Sequence, residues 1–304
     1  MSQKVSVIIP TCNDARTLPR TLGSVFAQDL APDEVIVVND GGDDPAAFLG
    51  PAAARVRLIN LEANRGVSAA RNIGLAAASG DFVLFLDSDD ILSSDFLRLC
   101  GEAIAAYPQA AFCIADAIRC PEDRIAEAER ALHGGRDGAE ARFVDQEELF
   151  DHIAANSGFY LPSFTLMNRA RLVLSAQGEL YETRLVNGED FQLFLRMALR
   201  HGALRIEQPM GIHRLRSGSL SKNETTVWTC RYRSMDMLLA EDPVVSARPR
   251  HRRTIQRLRS GGARKVARLL YSSGSRDQAV RILREDLSRH FNLKSALSLL
   301  RFQI

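Results

Sequence analysis

The stretch Asp81-Phe-Val-Leu-Phe-Leu-Asp-Ser-Asp-Asp90 decides how this chain is read. Phe82–Leu86 is a short apolar run, aromatic and β-branched, and such a run reads as a buried strand. It stops on three carboxylates, Asp87, Asp89 and Asp90. Burying an unpaired carboxylate is costly, so these groups need water, basic partners or a divalent cation. Mg²⁺ and Mn²⁺ prefer oxygen ligands, and Mg²⁺ typically binds through one or two carboxylates plus substrate phosphates. The competing reading is a turn that caps the next helix, and the stretch by itself does not choose between them.

The surrounding pattern alternates strand and helix. Val5–Ile9, Glu34–Val38, Val56–Leu61 and Ala110–Ala115 are further strand candidates. Arg16–Gln28, Val67–Ala78 and Ser94–Tyr107 carry helical spacing between them. This rhythm predicts a mostly parallel sheet with helices on both faces. In such sheets ligands bind beyond the carboxyl ends of the strands. Pro10-Thr11, Asn39-Asp40 and Asp87–Asp90 all fall at such ends, which favours the cation reading over the turn. Pro121–Gly138, charged and glycine-containing, reads as an irregular insertion. Glu189–His201 is helical, and residues 225–304 read as helices alone. A break is expected at Gly261-Gly262, and a helical hairpin around Ser272–Ser275.

Individual motifs say less than their order. Asn39-Asp40-Gly41-Gly42 is a turn in which Asp40 could accept from a base N–H or a ribose hydroxyl. Asn64–Gly74 enters a helix with Gly66 and Ser68 near its start and Arg71 one turn in, a setting that favours phosphate. Taken in order, Val-Ser-Val-Ile-Ile-Pro-Thr11, Val-Val-Asn-Asp40-Gly-Gly, Asn64-x-Gly-x-Ser-x-Ala-Arg71-Asn-x-Gly and Leu-Asp87-Ser-Asp89-Asp resemble the family 2 glycosyltransferases of the GT-A fold. The resemblance is dense over residues 4–116 and resumes around 160–221.

The resemblance implies an inverting, metal-dependent transferase that uses a nucleotide-diphosphate sugar, with a UDP-sugar favoured. Pro10, Thr11, Asn13 and Asp40 would contact the nucleotide, with Asp40 at the base. Gly66 and Arg71 would lie beneath it. Asp87 would sit at the ribose or the metal shell, and Asp89 would ligate Mn²⁺ or Mg²⁺. Gly188-Glu189-Asp190 resembles the family's Glu-Asp motif, with Asp190 as general base and Glu189 supporting it or the acceptor. His213-Arg-Leu-Arg-Ser-Gly-Ser-Leu-Ser221 resembles a late segment in which Arg216 stands where a His is usual and His213 where a Tyr is usual. Arg cannot ligate a cation but pairs well with phosphate, so Arg214 or Arg216 is expected at the diphosphate. Asn39 stands where many relatives have Asp, and Cys12 where many have Tyr.

The resemblance implies a GT-A domain over 1–223, followed by a basic helical region over 224–304. Within the first, residues 1–116 are expected to hold the nucleotide and 117–223 the acceptor. Phe159–Pro162 is a candidate apolar wall, and Phe164 a candidate for the core. Residues 244–304 hold 15 Lys and Arg against 3 Asp and Glu, of 39 and 37 in the whole chain. This tail suggests a peripheral membrane contact and a saccharide or lipid-linked acceptor; without interleaved aromatics it does not suggest nucleic acid. Five scattered cysteines and the absence of a signal-like segment before Val5 suggest a cytoplasmic protein, placed at the inner face of the cell membrane if the tail binds there. A non-catalytic nucleotide-sugar-binding protein stays open as an alternative. A sugar nucleotidyltransferase ranks lower, because Thr11-Cys-Asn-Asp-Ala15 is not a glycine-rich basic loop.

Overall fold

The computed structural model describes residues 4–132, 140–155, 161–215 and 223–303. The N-terminal part runs β1 (Val5–Thr11), α1 (Leu18–Phe26), β2 (Glu34–Asn39), α2 (Ala46–Leu49), β3 (Arg57–Asn60), α3 (Val67–Ala77), β4 (Phe82–Phe85), β5 (Ile91–Leu92) and α4 (Phe96–Ala106). The middle adds β6 (Phe112–Pro121), α5 (Ile125–Leu132), β7 (Ala141–Val144), α6 (Gln146–Ala155), β8 (Thr165–Asn168), α7 (Glu189–Ala198) and β9 (Ala203–Leu215). Helices α8 (Glu224–Glu241), α9 (Pro243–Ala247), α10 (Pro249–Ser272), α11 (Arg276–Arg289) and α12 (Leu293–Gln303) follow.

The strands form one sheet in the order β3-β2-β1-β4-β8-β6-β9-β5, with β7 on β9. The β3-β2-β1-β4 half is parallel throughout. Antiparallel β8 joins it to the parallel pair β6 and β9. All of β1 is buried, because helices cover both of its faces. The close approach of α3 to β1 depends on Gly74, where a Cβ would lie 2.3 Å from Ile8 Cγ2. The parallel register brings the carboxyl ends of β1, β2 and β4 to one edge.

Two expectations are corrected. Residues Pro121–Leu132 are not irregular: β6 extends to Pro121, and α5 buries Ile125, Ala128 and Leu132 in a small cluster with Ile91, Cys120 and Ile212. Charged residues outnumber the apolar ones there, which hides a three-residue apolar face. Nor does Gly261-Gly262 break a helix, since α10 runs straight through it. A Cβ on Gly262 would stand 3.4 Å from Tyr232, so this glycine serves the packing of α10 on α8.

The C-terminal helices are locked by one buried carboxylate. Asp286 accepts from Arg259 Nη2 at 2.7 Å, Ser260 Oγ at 2.9 Å, Ser295 Oγ at 2.7 Å and Asn292 Nδ2 at 3.0 Å. Burial alone would raise its pKa, but the bonds from Ser295, Arg259, Asn292 and Ser260 outweigh burial and hold it below the usual carboxylate range. Its contribution to stability is therefore present above the ordinary Asp pKa and lost as pH falls through the depressed value. Asp286→Ala leaves the buried Arg259 short of a partner and is expected to cost about 3–5 kcal/mol in urea denaturation. A cost under about 1 kcal/mol would mean that Asp286 does not hold these helices together.

Candidate active site at the strand ends

A cleft of about 620 Å³ opens at the carboxyl edge of β1, β2 and β4. Pro10, Thr11 and Cys12 line it from β1, Asp40 from β2, and Asp87, Ser88 and Asp89 from β4. The start of α3 adds Gly66, Ser68 and Arg71, and α7 adds Glu189 and Asp190. His213 enters from β9. The Asp-Ser-Asp run and the Glu-Asp pair, about a hundred residues apart in sequence, thus share one cavity.

Each segment has a local reason for its shape. Gly41 takes φ +72°, and a Cβ there would lie 2.3 Å from Asn64 N, so the β2 turn and the loop before α3 are in close contact. Asp40 fastens that loop: its Oδ1 accepts from the Arg65 N–H at 2.7 Å and its Oδ2 from the Gly66 N–H at 2.9 Å. Asn39 ties the turn internally, accepting from Gly42 N–H at 3.1 Å and donating to the Gly42 and Asp43 carbonyls. Asn13 adopts φ +59° and accepts from the Asp43 N–H at 2.9 Å. It shapes the loop and is not among the cleft-lining residues. Thr11 Oγ1 and Ser68 Oγ are buried and have no hydrogen-bond partner among the described residues. Both belong to residues lining the cleft, and both are able to bond a polar ligand.

Arg71 is the electrostatic centre. Its Nη2 lies 2.7 Å from Asp87 Oδ1 and its Nη1 3.0 Å from Glu189 Oε1, while its guanidinium sits 4.9 Å from the Tyr181 ring centroid. Burial opposes its charge, but Asp87, Tyr181 and Glu189 outweigh burial and keep it protonated. Each of its terminal nitrogens thus bonds a carboxylate, and Arg71 lines the same cleft as the strand-end motifs. Beside it, Asp190 Oδ1 accepts from the Phe191 N–H at 2.6 Å. Burial, then the neighbouring Glu189 charge, push the Asp190 carboxyl up to about 7, against the lowering effects of the Phe191 bond and of Arg71. A carboxylate poised near neutral pH is suited to general-base work.

The late segment differs most from expectation. Arg214 does not reach the cleft: its Nε donates to the Asp89 carbonyl oxygen at 3.1 Å and its Nη1 pairs with Glu122. Its expected diphosphate contact gives way to support of the Asp89 backbone. Arg216 lies outside the described residues, as does Phe159. Asp90 does more than begin a helix. It is fully buried, accepts from the Arg214 N–H at 3.1 Å and meets His213 Nδ1 at 3.2 Å. Burial alone would lower the His213 pKa, but Asp90 outweighs it and leaves the value raised. The sequence placed His213 where relatives carry a Tyr, and it singled out Arg216 for the role their His plays. Leu161 and Pro162 do line the cleft, and Phe164 is in the core.

Among the described residues no group of three or more His, Cys, Asp or Glu is placed to hold a metal ion. Asp87, Asp89 and His213 nevertheless line one cavity. With Nδ1 given to Asp90, His213 keeps Nε2 for another partner, the arrangement in which a carboxylate orients a metal-ligating histidine. Two protein ligands suit a cation that takes its remaining oxygens from a diphosphate and water.

The profile of the family described as "Glycosyl transferase family 2" matches residues 6–172, which include the strand-end motifs after β1, β2 and β4. The chain is a family 2 glycosyltransferase. The transferase is 31% identical over 252 residues to the succinoglycan biosynthesis protein ExoO of Rhizobium meliloti, covering 78% of this chain and 66% of ExoO. It spans only 30–38% of the length of four other curated relatives. Its fold superposes on Staphylococcus aureus TarS 1–349 in complex with UDP-GlcNAc, with TM-score 0.60, 18% identity, and coverage of 98% of this chain and 79% of that one. It also superposes on the mannosyltransferase PcManGT of Pyrobaculum calidifontis in complex with GDP-Man and Mn²⁺, with TM-score 0.58, 14% identity, and coverage of 100% and 85%. The fold is GT-A, with a helical region after it.

Proposed function

We propose that the cleft binds a nucleotide-diphosphate sugar and transfers its sugar, with inversion, to an acceptor hydroxyl. The observation that carries this reading is the shared cavity: the Asp87–Asp89 run and the Glu189-Asp190 pair line one cleft, with Arg71 bonded to Asp87 and Glu189. Pro10, Thr11 and Ser68 face the nucleotide. Each Asp40 oxygen keeps a lone pair after bonding the loop N–H groups, and the carboxylate reads the base. Asp89 and His213 would hold Mn²⁺ or Mg²⁺, which offsets negative charge on the leaving diphosphate. Asp190 takes the proton of the acceptor hydroxyl as that oxygen attacks the anomeric carbon. Leu161, Pro162 and Leu185 wall the acceptor side.

UDP-sugars are the favoured donors, supported by the UDP-GlcNAc complex of TarS; the GDP-Man complex of PcManGT keeps GDP-sugars in the screen. The products are placed in polysaccharide or glycolipid synthesis, supported by the relation to ExoO. A thermal-shift screen of UDP- and GDP-sugars with and without Mn²⁺ tests the donor site. One donor at a hundredfold its Kd should stabilise the protein by about 2.7 kcal/mol. His213→Ala should remove the Mn²⁺-dependent part of that shift and leave the Mn²⁺-free part. No shift with any nucleotide-sugar would refute the donor site. An unchanged Mn²⁺ response in His213→Ala would remove His213 from the cation site.

A further inference from the structure

We infer that the outer face of α12 docks the enzyme on an anionic lipid surface. Leu293, Leu297 and Leu300 are 66%, 56% and 58% exposed, and Phe291 just before the helix is 73% exposed. Spacings of four and three residues put the three leucines on one stripe. Lys294 and Arg301 are exposed on the same helix beside that stripe and make no ion pair among the described residues. An ordinary surface helix turns its leucines inward, so the arrangement needs a partner that is apolar at depth and anionic at its rim.

The stripe is not the loose end of a poorly held helix. The opposite face of α12 is anchored by Ser295, bonded to Asp286, and by Phe302, whose ring stacks on Tyr271 at 4.4 Å. On α11, Arg281 and Arg284 are also exposed without carboxylate partners among the described residues. A second copy docked symmetrically on the stripe would bring Lys294 and Arg301 against like charges. Anionic headgroups instead complement them, while the leucines enter the acyl boundary. Among the described residues no helix is long and apolar enough to cross a membrane, so α12 would lie on the surface. This inference stands apart from the proposed chemistry.

The test is co-sedimentation of the full chain with phosphatidylglycerol/phosphatidylcholine vesicles and with pure phosphatidylcholine vesicles. The wild type should pellet with the first and stay in solution with the second. L297E/L300E should lower binding at least about tenfold, because it puts charge where acyl chains would lie. K294E/R301E should also weaken binding and flatten its salt dependence. Both variants should keep the wild-type Tm and nucleotide-sugar response, which separates loss of docking from loss of the fold or the donor site. Equal vesicle binding by wild type and both variants would overturn the inference. So would a wild type that ignores vesicles but forms a dimer that L297E/L300E dissociates, which would assign the face to a second copy.

Discussion

Asp190→Asn is expected to lower turnover by about 10²–10⁴-fold while donor binding stays within about threefold of wild type. Asn keeps the shape of the side chain and loses the basic oxygen. The wild-type rate should rise with pH along a limb near 7, because the base acts only when ionised and its carboxyl is pushed up to about 7. The stability consequence has the opposite sign. A carboxyl whose folded pKa is raised stabilises most below its unfolded value and loses that contribution as pH rises through the folded one. Asp190→Asn should therefore match the wild-type Tm near pH 4 and exceed it by a few degrees above pH 7. Unchanged turnover in the variant would remove Asp190 from the chemistry. A dead variant with weakened donor binding would make it a binding residue.

Arg71→Met is the second large effect. Asp87 and Glu189 both lose their shared cation in a buried site, and breaking such a pair costs about 3–5 kcal/mol. Arg71 also lowers the Asp190 carboxyl, so its removal should move the acidic limb of the pH–rate profile upward. Turnover at pH 7 then falls, and part of it returns at pH 8–9. The limb is the discriminating readout. Lower stability with an unmoved limb would make Arg71 a packing and charge partner with no part in positioning the base.

Much of this arrangement was legible before the structure. The alternation through β4 gave the parallel half of the sheet, because short β-branched runs between amphipathic helices have few other solutions. Asp40, Asp87, Asp89 and Asp190 were legible because each follows a strand or opens a helix at the same edge. Arg71 was legible as a cation one turn into α3, but its partner Glu189 lies 118 residues away. Asp90 and Glu122 were missed for the same reason. Their partners, His213 and Arg214, are neighbours only after β9 pairs with β5 and β6 over residues that carry no local signal of it. Helix α5 was missed because its stripe is short, and Gly262 was misread because a packing glycine and a breaking glycine look alike without the opposing helix.

The central claim is that the cleft performs an inverting displacement with Asp190 as base. Slow hydrolysis of an α-linked donor tests it without knowledge of the acceptor, since water can take the acceptor's place. Time-resolved proton NMR of the released sugar should show the β anomer first, with Asp190→Asn releasing sugar at least about a hundredfold more slowly. Initial release of the α anomer, or equal release by the variant, would contradict the account.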